Sequence, residues 1–165
     1  MHLEEKTINA LRWIVDILDK HKINYQISGG FAGKIFGCKR ELNDIDIDIS
    51  KKDFDKILPE ISTYIIYGPS HYIDAKWDLE LITLNYHGQE IDIGDCDNIL
   101  ISNKERTKWI SFATNFSKTL DINLNGIKIK VINPKDFIEY KKELDGEHQL
   151  EDIEAAKCYL IKNNH

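Results

Sequence analysis

Six consecutive residues, Asp44-Ile45-Asp46-Ile47-Asp48-Ile49, alternate strictly between acid and isoleucine. A period of two belongs to a β-strand, so the isoleucines face one side and the aspartates the other. Aspartate is depleted in strands, and like charges held side by side repel. A fold ordinarily avoids stacking them. A divalent cation removes the objection, because oxygen ligands converging on one point are what Mg²⁺ binds. Taken alone, the six residues also fit an amphipathic strand whose polar face is merely wet.

A second feature precedes the strand. Tyr25-Gln26-Ile27-Ser28 reads as a short strand that stops at Gly29-Gly30, and Phe31 to Phe36 reads as a short helix ended by Gly37. A strand that ends in paired glycines and opens a helix places backbone N–H groups where a phosphate can sit, with no Cβ in the way. By itself such a pair is usually just a turn. Its value lies in standing one short helix and loop before the aspartates.

The remaining pattern predicts a mixed sheet with helices packed on it. Residues 3–21 form a helix with Leu11, Ile14, Val15 and Leu18 on its buried face. Ser50-Lys51-Lys52-Asp53 fits a capping box that opens a helix carrying Phe54, Ile57, Leu58 and Ile61. Strands are expected at 63–67, 79–85 and 89–93. Residues 104–118 stay ambiguous, since Trp109, Phe112 and Phe116 suit a helix face that Ser, Thr and Asn interrupt. Asn125-Gly126 marks a two-residue hairpin between Leu120-Ile122-Leu124 and Ile127-Ile129-Val131. Asn133-Pro134 starts a further helix, and a last one runs over about 149–162.

The 165 residues make one domain's worth of chain, 1–165, large enough to fold without disulfides or structural zinc. A net charge of −6 argues against non-specific wrapping of nucleic acid. No apolar run is long enough to span a bilayer, and the first residues lack a signal-peptide pattern. Cys38, Cys96 and Cys158 are odd in number without CxxC spacing, which suits reduced thiols in a cytoplasmic protein. The histidines at 2, 21, 71, 87, 148 and 165 show no zinc spacing, and neither a GxSxG elbow nor a GxxxxGK[ST] loop occurs. Residues 104–130 hold six Lys or Arg against two acids, read as solvated lysines over a core-facing aromatic stripe rather than an RNA surface.

Strand, Gly-Gly, short helix, then Arg40-x-x-x-Asp44-Ile45-Asp46-Ile47 resembles the nucleotidyltransferase superfamily, which shares the DNA polymerase β-like catalytic fold. The resemblance is closest to small bacterial and archaeal members, antibiotic nucleotidyltransferases and minimal toxin–antitoxin types among them. It covers residues 23–49 and resumes at Asn133-Pro134-Lys135-Asp136-Phe137-Ile138-Glu139-Tyr140-Lys141 and Leu150-Glu151-Asp152-Ile153, which look like the helical tail of those proteins.

The resemblance implies a single-domain α/β (α+β) nucleotidyltransferase fold with a mixed sheet and a helical C-terminal tail. It implies that Ser28, Gly29 and Gly30 hold nucleotide phosphates, and that Asp44 and Asp46 bind Mg²⁺ or Mn²⁺. A third carboxylate is expected on a neighbouring strand, where Asp92 is favoured over Glu90. Arg40 and Lys141, with Lys142, are cations considered for the triphosphate. For both lysines the alternative is a solvated helix face, and for Arg40 a structural pairing with Glu41 or a nearby aspartate. Asp48 is expected at the strand end in solvent. The activity implied is transfer of a nucleoside monophosphate from an NTP, such as ATP, to a hydroxyl of a small molecule, an RNA or a protein. The alternative is a non-catalytic, antitoxin-like member that binds a nucleotide or a partner.

Overall fold

The computed structural model describes residues 1–163, so His165 of the histidine set lies outside the described residues. A first helix, α1 (Glu5–Lys20), buries Leu11, Ile14, Val15 and Leu18 as its spacing predicts. Then come β1 (Tyr25–Ser28), α2 (Gly29–Ile35) and β2 (Asp44–Ile49). Next are α3 (Phe54–Ile61), β3 (Ile65–Ile73), β4 (Trp77–Tyr86) and β5 (Gln89–Asp95). The chain continues through β6 (Leu100–Ser102), β7 (Trp109–Ser111), the hairpin β8 (Leu120–Leu124) and β9 (Ile127–Val131), and closes on α4 (Pro134–Lys141) and α5 (His148–Asn163).

All these strands join one mixed sheet in the order β7-β6-β4-β5-β2-β1-β9-β8, with β3 paired to β4. The two parallel pairings, β2 with β5 and β1 with β9, sit at its centre. One face is apolar. Ile45, Ile47 and Ile49 of β2, Ile91 and Ile93 of β5 and Ile82 and Leu84 of β4 are all at most 1% exposed. Helices α1 and α3 belong to that core, and Thr7 Oγ1 of α1 donates to Gln89 Oε1 of β5 at 2.6 Å. The opposite face carries the aspartates of β2; Tyr140 and Lys141 of α4 line the pocket over it, and α5 packs against α4 and α2.

Several expectations need correction. Helix α2 begins at Gly29 rather than Phe31, so the glycine pair is its first turn and not a separate loop. The Ser50 side chain caps no helix: its hydroxyl donates to Asp97, and a 3₁₀ turn over Lys51–Asp53 leads into α3. The strand expected at 63–67 runs on to Ile73, held by β4 despite Gly68 and Pro69. Residues 104–118 form no α-helix: Asn103 Oδ1 accepts from the N–H groups of Thr107 and Lys108, closing a turn that feeds β7. Trp109 is correspondingly exposed rather than in the core. The Asn125-Gly126 hairpin forms as read, with Asn125 at φ 51° and Gly126 at φ 80°. Asn133 caps α4 by accepting from the Lys135 N–H at 2.9 Å, with Pro134 in the first turn.

Candidate active site

Register assembles the acidic face. Parallel pairing of β2 with β5 sets Asp44 opposite Glu90 and Asp46 opposite Asp92. Antiparallel pairing of β1 with β2 sets Ser28 beside Asp46 and Gln26 beside Asp48. Directly opposed residues project to the same side, so the acids converge without help from any loop.

Carboxylate oxygens of Asp44, Glu90 and Asp92 lie within 4.8 Å of one another. The sequence offered Asp92 or Glu90 as a third carboxylate, and the structure brings both to Asp44. Asp46 stands outside that set. Its Oδ2 lies beneath Gly29, in the space a Cβ there would fill. Burial pushes the Asp46 carboxyl well above the ordinary range, helped by Asp44, Asp92 and Asp48 around it. Burial likewise raises Asp44. Asp92 is raised to about 6, chiefly by burial, although Thr83 Oγ1 donates to it at 2.6 Å. A group of carboxyls held this far from easy ionisation is short of positive charge. The donors are all oxygen, as hard cations such as Mg²⁺ or Mn²⁺ require, so the residues present fit the metal that the resemblance implies.

Asp48 is not in solvent at a strand end. It is partly buried, Gln26 Nε2 donates to its Oδ2 at 2.8 Å, and burial raises its carboxyl to about 6.

The glycine turn is shaped mainly by the protein itself. Gly29 has φ 62° and donates its N–H to the Tyr140 hydroxyl at 2.8 Å. A Cβ on Gly30 would come within 2.8 Å of Arg40 Nη2. Ser28, Gly29 and Gly30 do line the pocket over the aspartates, but the absent side chains make room for Asp46 and Arg40 rather than for open space.

The cations considered for a triphosphate are anchored elsewhere. Arg40 grips Asp152 with two bonds, Nη2 to Oδ2 at 2.7 Å and Nε to Oδ1 at 3.2 Å. Lys141 reaches the same carboxylate at 2.9 Å and Gln149 Oε1 at 2.9 Å. It is 4% exposed, so it sits on no solvated helix face. Lys142 does sit on one and pairs with Glu139 at 3.1 Å. Burial alone would raise the wholly buried Asp152, yet the hydrogen bonds from Arg40 and Lys141 outweigh it and leave its carboxyl below the usual value. The structural pairing entertained for Arg40 is thus made with Asp152, not with Glu41. Sequence reasoning missed Tyr140, Asp152 and Thr83. The first two lay inside the quoted tail motif, but no local pattern tells which strand a tail residue will meet.

No protein-family model matches the sequence, and no curated protein matches it. Solved structures do. TM1012 of Thermotoga maritima, a protein assigned as a nucleotidyltransferase, aligns with a TM-score of 0.71 at 19% identity over 98% of this chain and 97% of its own. The lincosamide antibiotic adenylyltransferase LnuA, solved with lincomycin, aligns at 0.62 and 18% identity over 96% and 99%. ANT(2")-Ia, solved with adenylyl-2"-tobramycin, aligns at 0.61 and 11% identity over 93% and 89%. The chain therefore has the nucleotidyltransferase superfamily fold. Among the described residues no helix is long and apolar enough to cross a membrane.

Proposed function

We propose that this chain is a metal-dependent nucleotidyltransferase of the cytoplasm, one domain that moves a nucleoside monophosphate from an NTP to a hydroxyl and releases pyrophosphate. The observation that carries the reading is the convergence of Asp44, Glu90 and Asp92 beside the Gly29–Gly30 turn. Asp44 and Asp92, with Glu90 and Asp46 adjoining, would hold Mg²⁺ or Mn²⁺. That ion would neutralise charge gathering on the transferring phosphate.

The protein's own part is positioning and proton handling. Asp92, fixed by the Thr83 hydroxyl, would orient or deprotonate the acceptor hydroxyl. The hydroxyl oxygen then forms its bond to the α-phosphorus as the bond to pyrophosphate breaks. Ser28, Gly29 and Gly30 lie on the side where the leaving phosphates would rest. Arg40 and Lys141 act from behind, because Asp152 holds both. ATP and a small-molecule acceptor are supported by the adenylyltransferase names and bound antibiotics of two structural neighbours.

The test is incubation with each α-labelled NTP, Mg²⁺ and a cell extract, followed by identification of what is labelled. Asp44→Asn and Asp92→Asn should each abolish labelling. Labelling that survives both changes, or that never exceeds the EDTA control, would refute the assignment.

A further inference from the structure

The pocket over the aspartates is two-sided in character. It encloses about 460 Å³, within the range of small-molecule sites. Sheet order puts β1, with the glycine turn, on one side of β2 and β5, and β4 on the other. The carboxylates therefore stand between the turn and the β4 wall. That wall is apolar: Trp77, Leu79 and Leu81 of β4 face the cavity together with Ile99, Ile101 and Phe112.

One polar station interrupts the apolar part. Gln26 Nε2 clamps Asp48 through Oδ2, and Thr114 Oγ1 lies 3.4 Å from the same nitrogen. Gly94 lets Leu79 pack close to Asp48, since a Cβ there would come within 3.0 Å of Leu79 Cδ1 and 3.9 Å of Asp48 Oδ1. The clamp fixes the Asp48 carboxylate in the pocket lining.

We infer that the β4–β6 side of this pocket is the acceptor chamber, and that the acceptor is a small amphiphile. Its reacting hydroxyl lies at Asp92, a hydroxyl or amine donates to Asp48, and its apolar body lies on the Leu79–Leu81–Ile101 wall. The role as acceptor site rests on the transfer reading above. A nucleotide base could stack on Trp77 or Phe112, but Leu79, Leu81 and Ile101 give its hydrogen-bonding edge no partner. A nucleic acid fits worse, since Asp46, Asp48, Glu90 and Asp92 line the pocket and the chain is net negative at −6.

Octyl β-D-glucoside and methyl β-D-glucoside share one polyhydroxyl head and differ only in the tail. Calorimetric titration of the full chain, below micelle formation, should find the octyl compound bound at least about tenfold tighter. Leu81→Gln and Phe112→Ser, both at partly buried positions, should each erase most of that advantage. The affinity of Leu81→Gln for Mg²⁺–ATP should stay within about twofold, because β5 and β2 separate β4 from the strand that carries the glycine turn. Equal binding of the two glucosides would overturn the chamber. So would variants that weaken Mg²⁺–ATP while sparing octyl glucoside, which would place the base there instead. An octyl preference in a protein that never binds Mg²⁺–ATP would refute the transfer reading, and with it the acceptor role, leaving only a pocket for amphiphiles.

Discussion

Gly29 and Asp46 share one space: the carboxylate Oδ2 lies where a Cβ on the glycine would be. Gly29 also holds φ 62°, a conformation that costs an ordinary residue about 1–2 kcal/mol. Gly29→Ala should therefore lose more stability than Gly88→Ala, which has φ 91° but open space where its Cβ would go. Urea midpoints compare the two directly. Equal losses would mean that Asp46 simply swings aside.

Tyr140→Phe keeps the ring and removes only the oxygen that accepts the Gly29 N–H. A fully buried donor left without a partner costs about 1–3 kcal/mol, and the part-buried Gly29 N–H should cost towards the lower end. The variant should unfold at lower urea, and nucleotide affinity should fall if the turn then loosens. An unchanged urea midpoint would show that water replaces the phenol.

Asp152→Asn should be the most damaging single change at the base of the site. The carboxylate is wholly buried and answers two cations, Arg40 and Lys141. Removing one partner of a buried ion pair typically costs about 3–5 kcal/mol, because the remaining charge stays desolvated. Lys141→Met should cost less, since Arg40 still satisfies Asp152 and the methionine stem keeps contact with Phe137. A reversed order of the two variants in thermal unfolding would contradict the anchor.

The metal-free protein should grow more stable on mild acidification. Asp48 and Asp92 titrate at about 6 when folded, against an ordinary 3.8, so the fold binds their protons more tightly than the unfolded chain does. Stability should then rise as pH falls from about 7 to about 4, by on the order of 2 kcal/mol once solvent in the open pocket is allowed for. Asp152 works the other way, its lowered carboxyl giving stability that is lost only at stronger acid. Melting in EDTA across this range reads the sign. Millimolar Mg²⁺ should raise the neutral-pH melting temperature and flatten the profile. A melting temperature that falls steadily with pH in EDTA would count against the crowded carboxylates.

What the chain's own pattern revealed depended on distance. The Asp–Ile alternation of residues 44–49 specifies a strand and its two faces by itself, because every second residue must point the same way. Asn125-Gly126 and Asn133-Pro134 were equally local and equally legible. Ser50 was misread because the partner of its hydroxyl, Asp97, lies 47 positions away and no local pattern reveals it. The fate of Arg40 and Lys141 was hidden for a similar reason. A basic residue beside a motif looks free until its partner is known, and Arg40's partner lies 112 positions away.

That separation has a consequence for synthesis. The glycine turn, the aspartates and their neighbours on β5 leave the ribosome well before Tyr140 and Asp152, which complete the turn and neutralise Arg40. Chains build from the N-terminus, so nascent protein exposes an acidic face with its backbone unfinished. The pocket thus acquires its shape only once residues 140–152 are free to pack against the turn and Arg40.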